Sequence, residues 1–288
     1  MINGVLNVWK EAGFTSHDVV AKLRGILHQK KIGHTGTLDP DATGVLPVCL
    51  GKGTRLCDML TDETKTYEAL LHLGIATDTQ DMSGTVTAEA PVTVTEEEVR
   101  DCIASFAGEQ QQVPPMYSAL KVNGKKLYEL AREGIEIERK ARTVHFYEIS
   151  ILEVKLPLVR MEVTCSKGTY IRTLCHDIGQ ALGCGGCMAT LRRTMAAGYT
   201  LAESHTIDEV QSQGEALLRP VDTLFRQYPE YRITYPRVEQ LCRNGNAFTV
   251  KAPLESGTYR VYGLEGDFLC LSQLENGQMT SIKNFFGA

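Results

Sequence analysis

The spacing of hydrophobic positions near the N-terminus predicts one amphipathic helix. From Ser16 onward, Val19, Val20, Leu23 and Ile26 recur at the spacing of one helix face. An acidic residue stands in the first turn, where it complements the positive end of the helix dipole. The sequence therefore places a helix before the most polar segment of the chain.

That polar segment is followed by a short apolar run. Residues 35–53 are rich in Gly, Pro, Thr and Asp, and within them residues 45–50 are almost entirely apolar. This pattern predicts a structured loop that leads into a short buried strand. A loop that is held by a core is a suitable place for chemistry.

The middle of the chain alternates between predicted strands and helices. Residues 67–73 predict a strand and residues 78–84 a polar loop. Thr95 and Glu98 form a capping box that begins a helix, which we expect to end before Gly108. The two prolines at 114 and 115 then predict an extended connection.

Further elements follow. Residues 126–133 predict a helix, and residues 143–154 and 159–165 predict two strands. Segment 168–172 leads into another helix, for which we predict a buried face closed by a C-terminal glycine: Leu174, Ile178, Ala181 and Leu182, then Gly183. After Pro220 short predicted strands alternate with glycines, which indicates a small β-rich C-terminal domain.

Composition places the chain among ordinary globular proteins. Of its 288 residues 43% are hydrophobic and 23% charged, which argues against disordered, fibrous and membrane classes. No window approaches the roughly 20 apolar residues that span a bilayer, and no basic leader opens the chain. Nine cysteines lie without a disulfide rhythm. We therefore expect a cytoplasmic protein with reduced thiols and no membrane association.

Charge alone does not predict a nucleic-acid partner. The net charge is −5, the opposite of the bulk basicity typical of proteins that hold nucleic acid by charge. Basic residues do cluster in three short runs, and such runs are most often solvated faces. The runs are Lys22, Arg24, Lys30 and Lys31; Lys121, Lys125 and Lys126; and Arg139, Lys140 and Arg142.

The loop around Asp39 has more than one chemical interpretation from its residues alone. Asp39 and Asp41 suit a turn in which they accept bonds from nearby backbone N–H groups. Their spacing also matches the acidic pair of aspartyl-phosphate phosphatases, although the expected preceding apolar strand and later acidic cluster for magnesium are missing. A calcium loop is excluded because Leu50 occupies the place of the required glutamate.

Five separated blocks of the sequence resemble bacterial tRNA pseudouridine-55 synthases. The blocks are residues 33–47 (GHTGTLDPDATGVLP) with their continuation 51–55 (GKGTR), 65–67 (KTY), 77–81 (TDTQD), 112–121 (QVPPMYSALK) and 168–172 (GTYIR). The likeness extends from about the N-terminus to Arg193. It continues more weakly into the C-terminal domain, which resembles a PUA-type RNA-binding module.

The resemblance implies a fold and a reaction. It implies a mixed α/β (α+β) fold, the pseudouridine synthase fold with a largely antiparallel central sheet. The catalytic domain would span residues 1–226 and the small PUA-like β domain residues 227–288. The implied reaction converts a flipped-out uridine at position 55 of the tRNA T loop into pseudouridine. The alternatives are an RNA-binding module without catalysis and a magnesium-dependent aspartyl-phosphate phosphatase.

The resemblance also implies the catalytic residues. Asp39 matches the nucleophile, Arg172 its guanidinium partner, and Tyr67 the residue that stacks on the flipped base and helps to remove a proton from it. The chemistry fits, because burial raises the pKa of a carboxyl group and a neighbouring guanidinium lowers it. A nucleophilic carboxylate in a closed pocket therefore needs an arginine.

The same matched blocks supply the candidate substrate-binding residues. By resemblance, His34 contacts RNA near the flipped base, Asp81 and Tyr170 line the pocket, and Leu191 is its apolar residue. Lys121 belongs to a matched block and to a basic run, and is a candidate RNA contact.

The resemblance implies tRNA, bound through its T arm, as the partner, and neither a cofactor nor a metal. We expect no protein partner and a monomer. Two other motifs have weaker support. The pair His176 and Asp177 resembles a phosphohydrolase metal pair but follows a strand-like block. Cys184 and Cys187 have zinc spacing without a second pair, and we interpret them as thiols of a glycine-rich loop.

Overall fold

The protein is described by a computed structural model that covers residues 2–122 and 124–286. Its strands are β1 (Gly4–Lys10), β2 (Ile32–His34), β3 (Thr43–Leu50), β4 (Lys65–Leu73), β5 (Ile75–Thr77), β6 (Val86–Glu89), β7 (Gly108–Gln112), β8 (Lys121–Val122), β9 (Lys125–Lys126), β10 (Arg142–Lys155), β11 (Leu158–Cys165), β12 (Gly186–Ala196), β13 (Tyr199–Thr200), β14 (Glu230–Arg232), β15 (Phe248–Thr249), β16 (Gly257–Tyr262), β17 (Phe268–Glu275) and β18 (Gln278–Asn284).

Helices cover the faces of these strands. The α-helices are α1 (Ser16–Ile26), α2 (Cys57–Thr61), α3 (Glu96–Ala104), α4 (Leu127–Arg132), α5 (Ile171–Ala181), α6 (Ile207–Gln213) and α7 (Pro236–Arg243). Short 3₁₀ helices span Gly51–Leu56, Leu201–Glu203, Gly214–Leu217 and Val221–Phe225. Within the described ranges, no helix is both long and apolar enough to cross a bilayer.

A nine-stranded sheet forms the centre of the molecule. Seven strands follow the order β1-β3-β12-β4-β11-β10-β7, while β2 pairs with β3 and β13 with β12. Within the described part of this sheet only β3 and β12 pair in parallel, and the other neighbours are antiparallel. The prediction of a mixed α/β fold with a largely antiparallel sheet is therefore confirmed.

Two apolar clusters fix helices against this sheet. Val19, Val20 and Leu23 of α1 pack with residues of β1 and β3 in one cluster. Leu174 and Ile178 of α5 pack with residues of β4, β11 and β12 in the other. Because α1 precedes the Asp39 loop and α5 begins next to Arg172, these clusters place both candidate groups on the central sheet.

A second sheet forms the C-terminal β domain. Its five strands follow the order β14-β16-β17-β18-β15. Phe268 of β17 and Phe285, which directly follows β18, pack with Phe225 in an apolar cluster that also contains Val5 and Val45 of the central sheet. The β-rich nature of this part agrees with the sequence pattern, and the boundary between residues 226 and 227 stays a prediction.

Three sequence-based expectations need correction. Ala181 is exposed rather than part of the buried face of α5, because the helix ends there and its inner positions are Leu174, Cys175, Ile178 and Gly179. Cys187 lies on β12 and not in a loop. The C-terminal domain also contains a helix, α7, which begins at a proline in its first position.

Candidate active site

The loop that carries Asp39 is tied to its surroundings at several points. It connects β2 to β3, which pair antiparallel from Ile32 to His34. The N–H of Leu38 donates to Ser16 Oγ at 2.9 Å, so the first residue of α1 anchors the loop to that helix. The N–H of Ala42 donates to the carbonyl oxygen of Asp39 at 3.1 Å, which closes a turn around the carboxyl group.

Lys10 supports this loop from the end of β1. Its side chain is 0% exposed, and its Nζ donates to the carbonyl oxygens of Pro40 at 2.9 Å and Ala42 at 2.5 Å. Burial lowers the pKa of Lys10 to about 8, while Asp39 and Asp41 oppose that change. The sequence prediction missed this residue, whose only signal is a lysine at the end of an apolar strand.

Asp39 and Arg172 form a two-point ion pair. Arg172 Nε lies 3.0 Å from Asp39 Oδ2, and Arg172 Nη2 donates to Asp39 Oδ1 at 3.3 Å. The parallel N–H groups of a guanidinium match both oxygens of a carboxylate, which fixes the orientation of the carboxylate as well as its charge. The structure thus brings together the two residues that the sequence resemblance paired.

Arg172 is itself held by backbone oxygens. Its Nη1 donates to the carbonyl oxygen of Thr79 at 3.2 Å, and its Nη2 to that of Tyr117 at 2.8 Å. Asp81 Oδ2 lies 3.4 Å from Nη1. Five N–H donors thus meet acceptors from three chain segments, so the buried guanidinium has one position available to it.

Asp81 is oriented by its own loop. Its Oδ1 accepts hydrogen bonds from Thr79 Oγ1 at 2.8 Å and from the N–H of Ser83 at 3.0 Å. Gln80 between them has φ +65°, a conformation that side chains other than Gly rarely adopt. Its amide oxygen accepts from Thr173 Oγ1 at 2.8 Å, which ties the loop to α5.

The charge of Asp39 results from opposing influences. Burial is the largest and raises the pKa of the carboxyl group, whereas Arg172 is the next and lowers it. The balance leaves the pKa raised, because Asp81 and Asp41 add negative charge nearby. The side chain is still 39% exposed, so the carboxylate is open to an incoming substrate and is not in the closed pocket expected from the sequence.

Tyr67 lies buried on β4, directly opposite Arg193 of β12. It belongs to the same apolar cluster as Leu38 and Leu191. Burial raises the pKa of the Tyr67 phenol, and the Asp39 charge raises it further. The Arg193 charge lowers it. Tyr67 and Leu191 therefore belong to one apolar cluster, which also includes Leu38 of the Asp39 loop.

His34 ends β2 beside the same loop. Its Nδ1 accepts a hydrogen bond from the N–H of Gly36 at 3.3 Å, and its ring meets that of His17 edge to face at 5.2 Å between centroids. Burial lowers the pKa of His34 to about 4. The imidazole is therefore neutral at physiological pH and offers its ring and its second nitrogen to a ligand.

Tyr170 is the N-cap of α5, two residues before Arg172. Its backbone N–H donates to Gln112 Oε1 at 2.8 Å, and its carbonyl oxygen accepts from Gln112 Nε2 at 3.0 Å. The guanidinium of Arg142 lies over its ring at 4.8 Å. These contacts hold the start of α5, and hence Arg172, against β7 and β10.

Lys121 is the one candidate that the structure leaves apart. It lies exposed in the β8–β9 hairpin, and among the described residues no hydrogen bond or ion pair joins it to Asp39, Tyr67 or Arg172. A cavity of about 370 Å³ is lined by Gln80, Tyr117, Arg139 and His176, among others, and none of the three candidate catalytic residues lines it. The roles of all eight candidates stay predictions.

Comparisons with known proteins identify the family of this chain. Residues 24–171 match the family described as TruB family pseudouridylate synthase, N-terminal domain, and residues 172–226 match the tRNA pseudouridylate synthase B C-terminal domain. A tRNA pseudouridine synthase B of Clostridium acetobutylicum is 44% identical over 98% of this chain and 99% of its own. One of Lachnoclostridium phytofermentans is 56% identical over 80% of this chain and 79% of its own.

Solved structures give the same result. A chain from an H/ACA ribonucleoprotein bound to a substrate RNA containing 2′-deoxyuridine has a TM-score of 0.71 at 27% identity, over 99% of this chain and 85% of that one. A chain from a Cbf5-Nop10-Gar1 complex has a TM-score of 0.70 at 29% identity, over 98% and 85%. The family expected from the five blocks is confirmed, and the chain belongs to the TruB family of pseudouridylate synthases.

Proposed function

We propose that this protein isomerises a uridine of tRNA to pseudouridine, at position 55 of the T loop, with Asp39 as the nucleophile. The observation that carries the proposal is the two-point pairing of Asp39 with Arg172 in a site that is open to solvent on the carboxylate side. Membership of the pseudouridylate synthase family supplies the reaction, and relatives named tRNA pseudouridine synthase B supply the substrate.

The reaction requires a carboxylate that is charged and accessible. The glycosidic bond must break, and the same uracil must rejoin C1′ of the ribose through its carbon C5. A carboxylate can open this path by adding to the sugar or to the base, provided that it is ionised. Arg172 favours the ionised form of Asp39 against the effect of burial, and its two-point contact fixes the orientation of the carboxylate.

Tyr67 acts on the flipped uracil. A uridine inside a folded loop has to be extruded before a protein group can reach it, and the freed base then gains from stacking on an aromatic ring. Tyr67 offers that ring within the apolar cluster that also contains Leu191. We propose that its phenol oxygen also removes the C5 proton after the base has rejoined the ribose.

The remaining candidates orient the substrate. Neutral His34 contacts the RNA at the edge of the loop, Asp81 keeps Arg172 in place, and Tyr170 lines the wall at the start of α5. Lys121 would reach the RNA backbone from the β8–β9 hairpin, since an exposed lysine there is free to meet a phosphate.

The proposed partner is tRNA alone, recognised through its T arm. Addition and elimination by a carboxylate need neither metal nor nucleotide cofactor. We propose further that the protein acts as a monomer in the cytoplasm, without a protein partner. The PUA-like domain would add contacts to the RNA outside the T loop.

Tritium release tests the proposal. Unmodified tRNA transcript labelled with tritium at uracil C5 is incubated without metal with the wild-type protein and with Asp39→Ala. The expected result is release by the wild type alone, because the C5 hydrogen is lost only when the base rejoins through C5. Binding of tRNA without release would favour a non-catalytic RNA-binding module, and magnesium-dependent hydrolysis of a phosphate ester that is lost in Asp39→Asn would favour a phosphatase.

A further inference from the structure

Arg193 is a buried cation without a counter-ion. Its side chain is 1% exposed, and among the described residues no carboxylate lies within ion-pair distance of it. Its Nε donates to the carbonyl oxygen of Val45 at 2.7 Å and its Nη2 to that of Gly36 at 3.1 Å. A buried charge that is paired with neutral acceptors alone is costly, so the position of Arg193 calls for a physical reason.

The neighbours of Arg193 lie at the two ends of the Asp39 loop and on β4. Gly36 precedes Asp39 and Val45 follows it, so the guanidinium clamps both ends of the loop. Tyr67 is the residue opposite Arg193 on the neighbouring strand, and directly opposed residues of paired strands present their side chains on the same face. The Arg193 charge lowers the pKa of the Tyr67 phenol against the larger effect of burial.

The titratable groups around Arg193 leave the Tyr67 phenol as the group that can pair with its buried positive charge. Lys10 on β1, Lys65 on β4 and His34 on β2 each have a pKa that is lowered mainly by burial and also by Arg193. They add positive charge or none. Cys165 on β11 and Asp39 disfavour ionisation of the phenol. Arg193, on the facing position of the neighbouring strand, is the cation that favours it.

We propose that Arg193 is a positioning residue for Tyr67, which fixes the phenol against the Asp39 loop and stabilises the phenolate that removes the C5 proton. The inference rests on the proposed function. A phenol with its ordinary pKa near about 10 is a poor base at neutral pH, and burial without a cation would make it poorer. A buried guanidinium on the facing position of the next strand opposes that effect.

Protons and electrons balance in the removal of the C5 proton. After C5 has bonded to C1′, C5 still carries its hydrogen and the ring holds an N1=C6 double bond. The phenolate oxygen takes the C5 proton, the C–H electron pair forms C5=C6, and the N1=C6 pair moves onto N1. N1 then takes up a proton, and the phenol returns to the phenolate by losing one. The net change moves one hydrogen from C5 to N1.

The test is the pH dependence of single-turnover tritium release in Arg193 variants. Arg193→Met removes the charge at similar length, and we expect the rising limb that reports phenolate formation to move to higher pH. Near neutral pH the rate then falls at least about tenfold, because each unit of increase in the pKa of Tyr67 removes about nine-tenths of the phenolate. Arg193→Lys, which keeps the charge, should lie between Met and wild type.

Arg192 supplies the matched control. It is the preceding residue on β12, its side chain therefore points to the opposite face, and it pairs with Glu68 in solvent. Arg192→Lys should keep the wild-type pH profile. A second measurement follows tyrosinate absorbance against pH as the difference between each protein and its Tyr67→Phe counterpart, and the Tyr67 transition should move upward in Arg193→Met.

Folding and chemistry can be told apart. If Arg193→Met does not fold by circular dichroism, Arg193→Lys carries the test, because an ammonium keeps the charge but lacks the planar, spread donors of a guanidinium. A more acidic fluorotyrosine at position 67 should restore the rate of the folded variant. An unmoved limb in a folded variant, or a rate loss that is equal at every pH, overturns the role of Arg193. A wild type that releases no tritium contradicts the proposed function instead.

Discussion

At the scale of single residues, two opposing influences set the pKa of the Asp39 carboxyl group: burial raises it and Arg172 lowers it. Because burial is the larger influence, the pKa of the carboxyl group in the folded protein lies above the ordinary value of 3.8. As pH falls through that raised pKa, the carboxylate gains a proton and loses its nucleophilic lone pair. Activity is therefore lost at a higher pH than an ordinary aspartate would impose.

Two variants should move this acid limb in opposite directions. Asp41→Asn removes a nearby negative charge that raises the pKa of Asp39, so its limb should move to lower pH. Arg172→Lys removes the two-point contact, so its limb should move to higher pH and its rate should fall. Single-turnover rates between about pH 4 and about pH 8 measure both. Limbs that coincide with the wild type would contradict this account of Asp39.

The sequence supplied some of these residues and not others. Asp39, Tyr67 and Arg172 stand inside matched blocks, so resemblance found them. Lys10 and Arg193 bind backbone carbonyl oxygens far away along the chain, and those contacts depend on tertiary structure rather than on local residue types. Neither residue has a pattern that distinguishes it from a solvated cation.

At the scale of elements, the site depends on the strand end that supports the Asp39 loop. Lys10 ends β1 and donates to two carbonyl oxygens of that loop, Pro40 and Ala42. The loop carries few apolar contacts of its own apart from Leu38 and Ala42, which join the main core. The loop therefore keeps its shape through hydrogen bonds from a neighbouring strand.

Replacing Lys10 by methionine tests this dependence. Lys10→Met keeps the length of the side chain but leaves the buried carbonyl oxygen of Ala42 without this donor. We therefore expect a loss of about 1–3 kcal/mol in the free energy of unfolding. Urea denaturation measures that loss. The turnover rate should fall by more than the affinity for tRNA, because the carboxylate is misplaced while the RNA surface remains. Unchanged stability and rate would show that the Asp39 loop keeps its conformation without Lys10.

Elements with a clear period were predictable, and elements without one were not. Helices α1, α3 and α5 and strands β4, β10 and β11 follow their hydrophobic patterns closely. Strand β7 has the sequence GEQQQ, so its pairing with β10 is decided by the sheet and not by its own residues. Strand β12 carries two arginines and follows a glycine-rich turn, which concealed a central strand of the sheet.

For the whole molecule, the C-terminal β domain is part of the packed structure. The rings of Phe225, Phe268 and Phe285 lie within 5.2 to 6.0 Å of one another. Arg55 donates to the carbonyl oxygens of Asn284 and Phe286, each at 3.0 Å, and so links the 3₁₀ helix after β3 to the end of the chain.

Phe285→Ala measures this link. Phe285 is buried in the shared cluster, and removal of a buried phenylalanine side chain typically costs about 3–5 kcal/mol. We expect a loss of that size in the free energy of unfolding, with Tyr235→Ala, an exposed residue of the same domain, as the control. A loss below about 1 kcal/mol would mean that the cluster contributes little.

The overall charge predicts a modest dependence of binding on salt. With a net charge of −5, RNA binding has to rely on local basic surfaces, since fields are screened over about 8–10 Å at physiological salt. The affinity for tRNA should fall with salt concentration, with a slope that corresponds to only a few phosphate contacts. Filter binding at several salt concentrations measures the slope, and an affinity independent of salt would contradict binding through phosphates.

The most direct test of the central claim is the single-turnover rate of Asp39→Asn on unmodified tRNA. Asparagine keeps the size of aspartate and one acceptor oxygen for Arg172, but it has no negative charge with which to attack. The account predicts that tRNA affinity stays within about threefold of wild type, well below one kcal/mol, while tritium release from C5 disappears. Release at a rate near that of the wild type would contradict the claim that the Asp39 carboxylate is the nucleophile.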